Sequence, residues 1–343
     1  MFFLDYFFIA ISVLLIASIR PVKPISKFNE DYLSKDNCNI LRGFLVFIPP
    51  ITHLSNQGVR FNESITMYTS VIVTFFFFFS GYGLAKQHLS SDNYSDKYLL
   101  KRLPKVVIPY IVATFAFVVV DFVFLGFLYP ISDILHAIAY GQPIVIASWY
   151  VIHIIAFYIW FFFMIKIAKK NRILLSLFAI LYYILSTIAC VRFGWESYWW
   201  ETSYGLVIGV VWADFEREII GFCKKYYYFV LCGVLTLTIV YQMYGKYIWI
   251  RYSLSVITVI IMMMKINLKN PLLDFFGSIS FEMYMIHGAF MVMGRSNILN
   301  IENEPLYVLF VMFGTIASAW IMKYVDVFLI RIFNNCCKKV KLL

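Results

Sequence analysis

Eleven apolar runs follow one another along the chain, at residues 1–19, 40–54, 65–85, 106–128, 148–165, 173–191, 203–213, 226–244, 248–264, 275–293 and 305–330. Most approach the roughly 20 residues that a helix needs to cross a bilayer. In hydrocarbon every backbone N–H and C=O must be satisfied internally, which leaves a helical bundle or a closed barrel. Barrel strands read as short segments of alternating polarity. These runs are continuous, so they predict helices. Of 343 residues, 62% are hydrophobic and only 14% are charged, whereas a soluble domain carries about 25% charged residues. The apolar surplus has to face lipid. The sequence reads as an all-α integral membrane protein, a polytopic bundle of about eleven transmembrane helices, with the lipid bilayer as its first partner.

The basic residues give the orientation. Cytoplasmic loops are enriched in Lys and Arg. Alternate connections, counted from 20–39 and including the C-terminal tail, hold 22 of the 29 basic residues, and the opposite connections hold 4. This split predicts an N-terminus outside and a C-terminus inside. The net charge of +10 is then mostly a topology signal, and no nucleic-acid partner is implied. The first run lacks a basic n-region, carries Asp5 instead and has no small-residue cleavage site after it, so it reads as a retained span. Six cysteines show neither metal nor disulfide spacing. Cys336-Cys337 read as idle thiols beside the last span.

Ionisable side chains inside a membrane are costly and mark functional sites by default. The second run carries Arg42 near one end and His53 near the other. An ideal helix would separate them by about three turns and ~16 Å and turn both to one side. Pro49-Pro50 between them predicts a bend. Singly, Arg42 reads equally as a snorkelling anchor and His53 as a capped interfacial histidine. His153 and His287 lie in two further runs, and the topology places all three histidines in the outer half of the bundle. Ser280, Tyr284 and His287 form one polar stripe at helical spacing. Glu282 sits off that stripe and should not face lipid. The histidines come from three separate runs without paired spacing, so no metal site is expected.

The third run exits through Ser80-Gly81-Tyr82-Gly83 into a connection bearing Lys86, Lys97, Lys101, Arg102 and Lys105. Small residues permit close backbone approach, and a basic rim suits phosphates, although topology alone also explains these charges. On the other side, the connection 192–201 packs three Trp and a Tyr with two carboxylates. It reads as an interfacial aromatic belt or as a platform on which sugar faces stack.

Together these stretches resemble the membrane-bound acyltransferase family 3, bacterial enzymes that O-acylate surface polysaccharides and related glycans. The resemblance is carried, in order, by Leu41-Arg42-Gly43 running on to His53, by Phe79-Ser80-Gly81-Tyr82, by Lys101-Arg102-Leu103-Pro104-Lys105 on to Pro109, by Ser148-Trp149-Tyr150, and by Gly277 to His287. It covers roughly residues 38–330. Residues 1–37 look like an added span and linker before a ten-helix family core, and 331–343 are a basic cytoplasmic tail. The family's basic pair is often Arg-x-x-Arg; here its second member is Lys105, which keeps the charge and loses the bidentate fork.

The resemblance implies a two-sided site. Acetyl-CoA is the expected acyl donor, entering from the cytoplasm, with Ser80, Gly81, Tyr82, Lys101, Arg102 and Lys105 binding it. Arg42 and His53 are the expected catalytic residues, His53 either as general base or as a transiently acylated nucleophile. The acceptor is expected to be a glycan or lipid-linked saccharide held near Trp149, His153, Glu282, Tyr284 and His287. A transporter for a glycan intermediate or small anion is the alternative, because polar groups inside a bundle equally mark a pathway. The oligomeric state stays open, a homo-oligomer included.

Overall fold

The computed structural model describes residues 2–24, 26–62, 69–91, 97–140, 144–146, 148–244 and 247–339. The described elements are α1 (Phe3–Ser18), β1 (Ile19–Pro21), α2 (Lys35–Leu45), α3 (Ile48–Asn56), α4 (Thr69–Ser90), α5 (Tyr98–Arg102), α6 (Pro104–Leu125), α7 (Ile131–Tyr140), α8 (Ser148–Ala168), α9 (Arg172–Arg192), α10 (Tyr198–Glu201), α11 (Tyr204–Asp214), α12 (Glu216–Tyr244), α13 (Ile248–Met263), β2 (Ile266–Leu268), α14 (Pro271–Ser278), α15 (Ser280–Arg295) and α16 (Glu304–Lys339). The protein is an all-α membrane bundle. Among the described residues five helices, α6, α8, α9, α12 and α16, are long and apolar enough to cross a membrane, and α1, α7 and α13 are shorter apolar helices. The first residues of the run at 65–85 lie outside the described residues. On α9 Ile173, Leu177, Ile180, Leu181, Ile184, Leu185, Ile188 and Val191 are all exposed. A continuous apolar face of this kind is stable only against lipid tails.

Two helices are broken, and the breaks position the site. Pro49 and Pro50 lack an N–H to offer the carbonyls of Leu45 and Val46, and their rings would collide with them. The helix therefore stops at Leu45 and restarts at Ile48, with the prolines in the first turn of α3, the one place where a missing N–H costs nothing. This corrects the expectation of one bent helix: Arg42 belongs to α2 and His53 to α3. The second break is at Ile279 (φ −110°, ψ 11°) between α14 and α15. Ser278 donates to the Phe275 carbonyl at 2.7 Å and Ser280 to the Gly277 carbonyl at 2.8 Å. Such local bonds offer the backbone an alternative to the helical ladder.

The broken pairs pack on each other. A Cβ on Gly43 would run into the Leu273 carbonyl, and one on Gly277 into the Asn39 carbonyl, so α2 and α14 touch backbone to backbone. Beyond that contact Phe47 meets Phe276 edge-on at 4.8 Å between ring centroids. A similar close approach joins α4 to the short α11, where a Cβ on Gly81 would strike the Leu206 carbonyl and one on Gly209 the Phe78 carbonyl. Neither partner can move aside cheaply. Gly81→Ala is therefore expected to cost about 1–3 kcal/mol, the range for overpacking a tight interior. Thermal unfolding in detergent checks this, and an unchanged midpoint would mean that α4 and α11 separate without penalty.

The remaining departures are local. Residues 129–147 read as a plain connection, yet they contain α7, whose Ala137 carbonyl accepts from the Tyr110 hydroxyl at 2.6 Å. Tyr226 leaves helical geometry inside α12 (φ −123°, ψ 29°) and kinks that helix. A two-stranded antiparallel ribbon pairs Ile19 with Leu268 and Pro21 with Ile266, which straps the segment after α1 to the segment before α14.

Candidate active site

A cavity of about 760 Å³ opens among α2, α4, the start of α6, α8 and α15. Along α4 its lining runs from Phe76 to Ser90, which at 1.5 Å of rise per residue is roughly 20 Å. Its charged lining comes from Arg42, Lys35, Lys86, Arg102 and Lys105, with Gln87, Ser80 and Tyr82 among the polar groups. Tyr150, Tyr158, Phe76, Phe79, Phe281 and Tyr284 give the rest an aromatic wall. Tyr150 and Tyr158 stand at i and i+8 on α8, with Ile154 between them, so one helical face supplies that side.

Arg42 is held on its own helix. Its Nη2 donates to Asn39 Oδ1 at 3.0 Å, and Asn39 Nδ2 in turn donates to Asp274 Oδ1 at 2.7 Å and to the Asp274 carbonyl at 2.9 Å. Arg42 Nε is buried and has no hydrogen-bond partner. A buried donor without a partner carries a desolvation cost, which an acceptor arriving in the cavity would remove.

Above the aromatic wall the two broken helices bring His53 and His287 together, their rings stacked with centroids 5.3 Å apart and planes 24° from parallel. Tyr284 links them to the cavity: it lines the wall, and its ring centroid is 6.2 Å from that of His287. His287 is fully buried, with Nδ1 2.8 Å from the Tyr284 carbonyl. A carbonyl can only accept, so this contact assigns the proton to Nδ1 and leaves Nε2 as a lone pair. That Nε2 is buried without a partner. The site thus holds one imidazole in a fixed tautomer against a second, half-buried one.

The sequence-derived residues divide accordingly. Arg42, Ser80, Tyr82, Arg102, Lys105 and Tyr284 line the cavity, and His53 and His287 pair beside it. Gly81 does not line it, because it packs on α11; Lys101 is exposed and also outside the lining. Trp149 and His153 do not line the cavity; they belong to an aromatic cluster behind its wall, joined to Tyr150 through Phe77. Trp149 lies 6.1 Å and His153 5.7 Å from Trp199, centroid to centroid. His153 Nε2 is 3.9 Å from Cys190 Sγ. Trp199 is 1% exposed, so this part of the 192–201 connection is packed interior. Glu282 avoids lipid, as expected, by accepting from Lys323 Nζ at 2.9 Å, away from the cavity. Sequence reasoning missed Tyr158, Lys35 and Phe76; the i, i+4, i+8 spacing from Tyr150 was the available signal for Tyr158. Among the described residues no group of three or more His, Cys, Asp or Glu is placed to hold a metal ion.

A family model for an acyltransferase domain matches residues 37–324. The chain belongs to acyltransferase family 3. No curated protein and no solved structure matches it. The acyltransferase domain contains the cavity's α4, α6, α8 and α15 walls and both histidines of the stacked pair. It leaves α1, β1 and the segment up to Asp36 outside the match.

Proposed function

We propose that this acyltransferase moves an acyl group, acetyl by resemblance, from cytoplasmic acetyl-CoA to a hydroxyl of a cell-surface or lipid-linked glycan. The observation that carries the reading is the form of the cavity: long, lined by Lys35, Lys86, Arg102 and Lys105, walled by aromatic rings, and adjoined through Tyr284 by the His53–His287 pair. A phosphate-bearing donor with a slender arm suits that shape. Its phosphates meet the lysines and Arg102, and its thioester lies toward Arg42 and the histidines. The orientation that goes with this reading has the basic residues on the cytoplasmic face of a bacterial inner membrane, the N-terminus outside and the C-terminus inside.

The chemistry then needs few parts. An imidazole nitrogen takes the proton of the acceptor hydroxyl as its oxygen attacks the thioester carbonyl. The carbonyl π pair moves onto oxygen, and the Arg42 guanidinium faces that developing charge. Collapse expels the CoA thiolate, which the imidazolium reprotonates. In the covalent variant the imidazole nitrogen attacks the thioester carbonyl and expels the CoA thiolate; the acceptor oxygen then attacks the acyl-imidazole, breaks the C–N bond and gives its proton to the freed imidazole.

Labelled acetyl-CoA incubated with the purified protein and candidate glycans tests the reading. Label on the glycan with equimolar CoA release is expected; glycan passage across reconstituted vesicles without any transfer of label would replace it with a transporter. Arg102→Ala and Lys105→Ala should each weaken acetyl-CoA binding by about 1–2 kcal/mol, the lower part of the charge-assisted range because both side chains reach solvent. Calorimetric titration reads this, and unchanged affinity in both variants would mean that these charges serve topology alone.

A further inference from the structure

Two cavity-lining residues, Leu33 and Lys35, precede the matched domain, which begins at residue 37. The stretch they belong to is fastened on both sides. Before it, Val22 N donates to the Lys265 carbonyl at 2.9 Å and Asn29 N to the Met264 carbonyl at 2.8 Å. Just after it, Asn37 Oδ1 accepts from Leu268 N at 2.8 Å. Within it, Tyr32 is 1% exposed, and its hydroxyl accepts from Trp212 Nε1 at 2.7 Å while donating to Glu216 Oε1 at 3.1 Å. The same Glu216 oxygen accepts from the Tyr82 hydroxyl at 2.8 Å, and Oε2 pairs with Lys86. Tyr82 and Lys86 both line the cavity. Burial keeps the Tyr32 hydroxyl protonated far above any working pH, so it remains a donor to Glu216.

We propose that Tyr32–Lys35 is part of the donor site of this chain: Leu33 and Lys35 contact the donor, and Tyr32 acts through Glu216 to hold Tyr82 and Lys86 against it. This rests on the donor reading above. A carboxylate accepting from two buried hydroxyls fixes the rings that carry them. The Lys86 arm of the network matters less to the position of the wall, because its side chain is 53% exposed and an ion pair open to solvent contributes little. The two arms therefore separate by substitution. Glu216→Gln keeps Oε1 as an acceptor for Tyr32 and Tyr82 and loses only the pair to Lys86. Glu216→Ala loses all three contacts. Glu216 and Tyr32 are positioning residues; Lys35 is a binding residue.

The test is acetyl-CoA binding and steady-state transfer by the full chain in detergent, with thermal midpoints as the folding control. Lys35→Ala should raise KM for acetyl-CoA about three- to tenfold at low salt, and the effect should shrink at high salt as screening sets in. Tyr32→Phe should raise it about threefold, Glu216→Ala about tenfold and Glu216→Gln no more than about twofold, all with kcat near the wild-type value. If Glu216→Ala does not fold, Lys35→Ala and Tyr32→Phe still decide. Wild-type affinity in both of these, with weakened binding in Arg102→Ala, would leave the donor cavity standing and overturn the role of this stretch. Wild-type affinity in Arg102→Ala as well would overturn the donor reading and this proposal with it.

Discussion

His53→Ala should abolish glycan acylation while leaving expression, membrane insertion and acetyl-CoA binding intact. General acid–base help is typically worth about 10²–10⁴-fold in rate, and a lost nucleophile costs at least as much. His53 does not line the donor cavity; it stacks on His287 beside it, so its removal should spare donor affinity. His287→Ala separates the two imidazoles. If His287 Nε2, buried and without a partner, takes the proton, His287→Ala should fall as far as His53→Ala, and the double variant should lose little more than either single one, as groups acting as a unit do. A supporting role predicts a milder loss. Transfer by His53→Ala at a rate near the wild type would remove it from the chemistry.

The second large effect concerns the charges buried between α15 and α16. Glu282 is 2% exposed and pairs with Lys323, and one turn further along α16 Asp326 is 1% exposed with neither carboxylate oxygen bonded. Lys323→Met would leave Glu282 in apolar surroundings without a counter-charge. Breaking a buried pair on one side typically costs about 3–5 kcal/mol. The Lys323 side chain is 41% exposed, so about 3 kcal/mol is expected here. The double variant Glu282→Gln with Lys323→Met should recover most of it, because no charge is stranded. Thermal midpoints of the four proteins form a double-mutant cycle, and additive losses would show that the pair does not interact.

What the sequence made legible follows from how local each signal is. Apolar runs are local, so the membrane bundle and the helices at 104–125, 148–168 and 172–192 could be read directly. The break at Val46–Phe47 was also local, since Pro49-Pro50 require one; its consequence was not. Treating α2 and α3 as one helix put Arg42 and His53 on a shared face, whereas the break sends Arg42 to the cavity and His53 to His287. Helix α7 went unseen because its ten residues, apolar but interrupted by Ser132, Asp133 and His136, are too few for a span, which needs roughly 20. Contacts between distant residues left no trace: Lys323 is 41 positions from Glu282, and Glu216 is 134 from Tyr82. The ordered motifs pointed to the correct family, and most of their polar residues meet at one cavity. Trp149 and His153, although beside Tyr150 in sequence, sit on another face of α8 and pack against Trp199.

Cys38 offers the most direct test of whether the cavity holds the acyl donor. It lines the cavity and is half-buried, while Cys232 and Cys336 are exposed elsewhere. The rate of alkylation at each thiol can be followed by mass spectrometry in the intact protein, with and without acetyl-CoA. A donor seated between Arg102 and Arg42 passes Cys38, so saturating acetyl-CoA, and CoA alone, should slow its modification several-fold while Cys232 and Cys336 react as before. Cys38 alkylated at the same rate with saturating acetyl-CoA as without it would contradict the assignment of this cavity to the donor.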